Sequence, residues 1–208
     1  TRYWRDWSSD VCSSDLFSMK PIPAVEPNCS VSMAQHLDTD RAQIQHFIAH
    51  NFYHTYQAQV DHFADLLIGC KNDDTHHWMA AFGMSKLAER QAYLEQYLDK
   101  PIEHYIAFMT GKSVRREEVY ELGNLAADYP GATRRLIKKM TSLIYNQGGR
   151  WVVFTANNIV LNAFHKLNLN PQVISSANPN RLPNHGLNWG HYYETHPQVM
   201  FIAVPPHI

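Results

Sequence analysis

The chain has 208 residues, 18 Lys and Arg against 19 Asp and Glu, and a hydrophobic fraction of 45%. That size and balance suit one globular domain with a sizeable core. Near-neutrality without a basic block argues against a nucleic-acid partner, whose binding rests mostly on phosphate neutralisation, and no run approaches the roughly 18 apolar residues of a membrane span.

Residues 6–16, DWSSDVCSSDL, read as a translated sequencing-library adapter, so residues 1–16 are set aside from fold reasoning as a disordered artefact. With them go Arg2, Arg5, Asp6, Asp10 and Asp15, which leaves 16 basic and 16 acidic side chains. Cys12 goes too. The remaining Cys29 and Cys70 show neither CxxC nor framework spacing, which reads as reduced thiols in an intracellular protein. No signal segment is visible, although the adapter stands where a leader would lie, so a cytoplasmic location is expected. Residues 17–29 form a Pro-containing lead, and residues 30–208 are expected to form a single domain.

Ser30 to His36 suits a first strand, and Asp38 or Asp40 offers an N-cap for a helix running to about Tyr53. Ile44, Phe47, Ile48 and Phe52 form its apolar stripe, while His46, His50 and His54 recur on a different face. The zinc-protease pattern needs His-Glu-x-x-His and is not met, so these read as solvated histidines and no metal site is expected. Residues 59–70 are ambiguous between helix and strand. Lys71 to Asp74 is a turn leading to a strand from Trp78 to Met84. Ile102, Tyr105, Ile106 and Met109 recur at helical spacing, with Asp99 as the cap, Pro101 in the first turn and Gly111 at the end.

The centre of the chain lies between Val119 and Leu169. Val119 to Ala126 is an apolar-rich strand, and Leu136, Ile137, Met140, Leu143 and Ile144 mark a helix stopped by Gly148 and Gly149. Trp151 to Phe154 is a short apolar run suited to a buried strand. This is a βαβ unit with parallel strands and a right-handed crossover, so a ligand is expected at the carboxyl ends of those strands, near Ala126 to Thr133. Pro171 to Ser176 and Val199 to Val204 supply two more strands, separated by a Pro- and Asn-rich loop and the aromatic run Trp189 to Tyr193. The expected fold is α/β (α+β), with a mixed, mostly antiparallel sheet and helices on both faces.

Two patterns resemble known families. The segment from Asn157 through Val160 to Phe164-His165-Lys166-Leu167 is similar to the C-terminal helix of GNAT-type acyltransferases, and Tyr120 to Ala126 is similar to a strand of the acyl-homoserine lactone synthases, which share the GNAT fold. Four ordered blocks, LEQYLDKPIE (94–103), ELGNLA (121–126), RWVVFTA (150–156) and WGHYYETHPQV (189–199), together resemble the thermostable hemolysin family. The family name implies cell lysis and the fold implies acyl transfer, so a membrane-active lysin and a non-catalytic binding module on the same fold stand as alternatives to an acyltransferase.

The acyltransferase resemblance implies no tightly bound cofactor. It implies an acyl thioester, on coenzyme A or acyl carrier protein, as co-substrate and a small-molecule amine as acceptor, with acyl carrier protein as a possible partner protein. Helix N-terminal amides at Gly131, Ala132, Thr133 and Arg134 occupy the place of the phosphate cradle. The departure from the family pattern there, Asp128 for a cation or amide and Thr133 for a small residue, favours the carrier protein. Backbone N–H groups around Leu125 and Ala126 would face the oxyanion, and Asn157 matches the residue that contacts the pantetheine arm, with helix capping as its other reading. Glu121, the carboxylate on the central strand, is the candidate base. Asn124 stands where the lactone synthases carry Arg, and Phe164 replaces the usual acidic Tyr, leaving Tyr192, Tyr193 or His191 to supply a proton.

Overall fold

The computed structural model describes residues 28–88, 90–128 and 130–206. The adapter-like segment and nearly all of the lead lie outside the described residues.

Strand β1 (Cys29–Ala34) leads to helix α1 (Thr39–Tyr56), the hairpin β2 (Leu66–Asn72) and β3 (Trp78–Lys86), a 3-10 turn at Tyr93–Tyr97 and helix α2 (Ile102–Thr110). Then come β4 (Val119–Ala127), α3 (Pro130–Asn146), β5 (Trp151–Ala156), α4 (Asn158–His165), β6 (Gln172–Ser176) and β7 (Gln198–Ala203). The seven strands form one sheet in the order β1-β2-β3-β4-β5-β7-β6. Every pairing is antiparallel except β4 with β5, which α3 joins as the crossover of the expected βαβ unit. The mixed sheet and its helices on both faces match the expectation.

Side-chain periodicity explains the layers. Leu136, Ile137, Met140 and Ile144 of α3 and Phe164 of α4 bury against Phe82, Tyr120, Val152 and Phe154 on one face of the sheet. On the other face Ile44, Phe47, Ile48 and Phe52 of α1 pack on Leu67 and Ala81, and Ile102 and Ile106 of α2 pack with Val119, Val153 and Phe201. The rows α3–α4 and α1–α2 therefore sandwich the sheet. His46, His50 and His54 lie exposed on α1 with rings in succession.

Three expectations need correction. Pro101, not Asp99, is the N-cap of α2, and Asp99 instead pairs with Arg181. Lys71 and Asn72 belong to β2, so the turn begins two residues later, at Asp73, and the Asn72 side chain accepts hydrogen bonds from the N–H groups of Asp74 and Thr75. The third correction concerns the thiols: Cys29 and Cys70 form a disulfide, with Cα atoms 6.0 Å apart. The register sets Cys29 opposite Asn72 and Cys70 opposite Val31, so the two stand diagonally on adjacent strands. Strand pairing brings them together across 41 residues, which no local spacing reveals.

Candidate active site

Two irregularities of β4 create the site. Its pairing with β3 runs from Lys86 opposite Tyr120 to Gly83 opposite Gly123 and resumes at Ala81 opposite Ala126. Phe82 therefore faces both Asn124 and Leu125, a bulge in which Asn124 takes φ 55°, a left-handed conformation that asparagine tolerates better than most residues. On the other side β4 pairs with β5 only as far as Leu122 opposite Phe154, although the strands continue to Ala127 and Ala156. The two strands part. Backbone groups of residues 123–127 that would face β5 have no partner there, and a cavity opens between the strands.

The cavity has two chemically different sides. One is apolar and belongs to the core under α3 and α4, with Phe82, Leu122, Ile137, Met140, Phe154 and Phe164 on its wall. The other is polar and aromatic, with Tyr56, Asp61, His62, Tyr93, Glu121 and Trp189. Gly123 lines the passage, and a methyl group added to it would meet nothing within 4 Å. Its φ is ordinary, so what glycine supplies here is space.

Glu121 stands at the junction. Its two carboxylate oxygens accept the N–H groups of Tyr93 and Leu94, each at 2.8 Å, the orphan donors at the start of the 3-10 turn. Burial raises its pKa from 4.5 to about 7, against the pull of those two N–H groups and of Arg90. The turn that positions it is itself pinned by Glu95, which accepts the N–H groups of Ala92 and Ile102 and is held bidentately by Arg116 at 2.8 Å per bond. Burial opposes the Glu95 charge, but Arg116 and the two N–H groups outweigh it and hold that carboxyl below its usual range. These contacts explain the LEQYLDKPIE block: it fixes the backbone that holds Glu121.

Of the other residues singled out in the sequence, Asn124, Leu125 and Asn157 line the cavity. Asn124 donates its amide N–H to the His62 carbonyl at 3.1 Å, so it ties the bulge to the loop before β2. Asn157 takes the capping role and also reaches into the cavity. Its oxygen accepts the N–H groups of Ile159 and Val160 as the N-cap of α4, while its amide donates to the Tyr56 hydroxyl at 3.1 Å inside the cavity. Ala126 is buried on the α1 side and does not line the cavity; neither do Gly131, Ala132, Thr133 and Arg134 in the first turn of α3. Gly131, Ala132 and Thr133 are buried, and Arg134 is half-buried.

Phe164 stacks on Phe154 with centroids 4.6 Å apart, an apolar contact where the GNAT pattern has a phenolic acid. Of its suggested substitutes only Tyr192 reaches the cavity. Tyr193 shares a 2.6 Å hydroxyl contact with Tyr97, and His191 is exposed and bonded to Glu194. Sequence reading missed Tyr56, Asp61, His62, Arg90 and Tyr93. Four of the five lie in segments without strong periodicity, and only the 189–193 aromatic run signalled this wall.

The thermostable hemolysin profile matches residues 34–207, most of the chain. The chain belongs to the thermostable hemolysin family. Among curated proteins none matches its sequence. Its fold is similar to that of the AHL synthase LasI, with TM-score 0.56 and 7% identity over 86% of this chain and 92% of that one. It is similar too to FeeM, an N-acyl amino acid synthase from uncultured soil microbes, with TM-score 0.56 and 9% identity over 87% and 92% of the two chains. A third likeness is to BjaI, a CoA-dependent acyl-homoserine lactone synthase solved with SAM and isopentyl-CoA, with TM-score 0.53 and 10% identity over 86% and 84%. These likenesses establish a GNAT-like fold for this hemolysin-family chain.

Proposed function

We propose that this chain is an acyltransferase that moves an acyl group from a thioester to an amine. The observation that carries this reading is the parted β4–β5 pair, with a carboxylate of raised pKa at its mouth and a cavity that is apolar on one side and polar on the other. LasI, FeeM and BjaI, named for acyl-transferring activities, share the fold and support the reading.

In this reading the acyl chain lies on the apolar side, where burying each CH₂ contributes about 0.8 kcal/mol. The six apolar side chains there offer a hydrocarbon more contact than acetyl can use, which favours a longer acyl group. The thioester carbonyl sits at the parting of the strands, where an unpartnered backbone N–H of the Gly123–Ala127 segment receives the developing oxyanion; one such donor is worth roughly 3 kcal/mol in the transition state. The amine nitrogen attacks the carbonyl carbon, Glu121 takes the amine proton, and the C–S bond breaks. A thiol ionises near pH 8.5, so it leaves as thiolate without needing a phenol at Phe164. The donor is an acyl-carrier-protein or coenzyme A thioester. Buried first-turn residues of α3 and the Asp128 departure favour the carrier protein.

No helix among the described residues is long and apolar enough to cross a membrane. Lysis, as the family name has it, is then read as the effect of an acylated, amphiphilic product. The test is to supply purified protein with acyl thioesters of graded chain length and mixed amines and to follow thiol release and N-acyl product by mass spectrometry. Product that is lost in Glu121→Gln supports the reading, whereas lysis of liposomes by donor-free protein would overturn it.

A further inference from the structure

The polar side of the cavity carries an unusual pairing of charge and aromatic surface. Rings follow one another along it, with His62 5.7 Å from Tyr93, Tyr93 6.2 Å from Trp189, Trp189 5.4 Å from Tyr192 and Tyr192 5.3 Å from Tyr56. Asp61 and Glu121 both line this wall, and the charge of each acts on the Tyr93 phenol. Arg90 is the one Lys or Arg among the described lining residues. Its Nη1 is bonded to the Asp65 carboxylate and lies 3.4 Å from the Ser85 hydroxyl, and its Nε is enclosed without a partner. Its Nε is thus closed to a ligand and its Nη1 is already shared, so Arg90 has only Nη2 left to offer a carboxylate, one bond rather than two.

From this juxtaposition we infer that the acceptor is a primary ammonium with an aromatic or apolar body and no carboxylate. The inference rests on the acyl-transfer reading and names its acceptor class. An ammonium entering here meets two carboxylates and π faces that attract cations, and its apolar body lies against the rings. An amino acid would bring its own carboxylate against Asp61 and Glu121, with the arginine already engaged by Asp65. The wall thus separates this chain's acceptor from the amino acid named for FeeM. The overall change converts an ammonium and a thioester into an amide, a free thiol and one proton. Of the two protons the nitrogen loses, one reaches solvent before attack; Glu121 takes the other and then passes it to the departed thiolate, which restores the carboxylate.

Binding can be read without turnover. The full chain is titrated at neutral pH with tyramine, with tyrosine, which adds only a carboxylate, and with 4-ethylphenol, which lacks the ammonium, following aromatic fluorescence or heat. Tyramine should bind at least about 10-fold more tightly than either, since the two carboxylates and the rings each favour the cation. Asp61→Asn should reduce that preference to about 3-fold or less while 4-ethylphenol binding changes by less than about 2-fold; general damage would weaken all three alike. Tyrosine or 4-ethylphenol binding as tightly as tyramine, or no binding by any of the three, overturns the inference. A parallel thermal-shift assay with acyl thioesters reports on the acyl-transfer reading separately. A donor shift with tyrosine preferred removes the acceptor class alone, and tyramine preference with no donor shift removes acyl transfer alone.

Discussion

Glu121 and Tyr93 are joined by a 2.8 Å hydrogen bond in which the Tyr93 backbone N–H donates to the carboxylate, so the candidate base is anchored to the backbone of an aromatic wall residue. Leu94 donates to the other oxygen. The carboxylate is fixed in direction by two donors and kept from full ionisation by burial, which suits a base operating near neutrality.

Acyl transfer should therefore rise with pH through about 7 as Glu121 ionises, and Glu121→Gln should lower kcat by about 10²- to 10⁴-fold. Stability should move the other way. Folding raises this pKa from 4.5 to about 7, so the folded state keeps a proton that the unfolded chain has already lost. That contribution is full below 4.5 and is lost as pH climbs through about 7. Urea unfolding across this range should show the fall in wild type and a flatter profile in Glu121→Gln.

Gly123 should set what passes between the two sides of the cavity. Gly123→Ala adds a methyl group to open space and should change stability by less than about 0.5 kcal/mol. Gly123→Phe should leave the unfolding midpoint close to wild type but lower kcat/KM by at least about 10-fold, because a ring in the passage displaces the thioester from the unpaired amides. Thermal melts and steady-state rates on the same preparations separate the two effects.

Arg116→Met should be among the most destabilising changes in the chain. It leaves the Glu95 carboxylate, 6% exposed, without its cation, a loss of about 3–5 kcal/mol. Because Arg116 holds the Glu95 pKa down, the pair stabilises the fold above the unfolded carboxyl pKa, and that contribution is lost as pH falls through the folded value. Adding Glu95→Gln should recover part of the stability at neutral pH, measurable as a shift in the urea midpoint.

Asn157 offers a way to separate its two contacts. Asn157→Ala removes the α4 cap and should cost about 1–2 kcal/mol. Asn157→Asp keeps an acceptor for Ile159 and Val160 but loses the donor to Tyr56, so more of the stability should be kept than in Asn157→Ala while the added carboxylate raises affinity for an ammonium over a neutral ligand. Unfolding and ligand titration of both variants check the split.

The βαβ unit was legible because α3 shows an apolar stripe at helical spacing and because Trp151 to Phe154 is a continuous apolar run between turn residues. Glu121 was legible as the carboxylate within an apolar strand. The parting of β4 from β5 was not, because it depends on where pairing stops rather than on either strand's composition. Asp61 and His62 sit in a loop, and bonds from distant residues, among them Asn124 to the His62 carbonyl from 62 residues away, hold that loop against the site. The disulfide is hidden for the same reason: Cys29 and Cys70 meet through register, not spacing.

The central claim is acyl transfer from a thioester at the parted strands, and donor binding tests it most directly. Thermal unfolding of the chain is followed with acyl-coenzyme A and acyl-carrier-protein thioesters from short to long chain, beside Gly123→Phe. A donor at a hundred times its dissociation constant adds about 2.7 kcal/mol to the folded state. The account predicts a rise in midpoint that grows with acyl length and is lost in Gly123→Phe. No shift with any thioester on either carrier would contradict it.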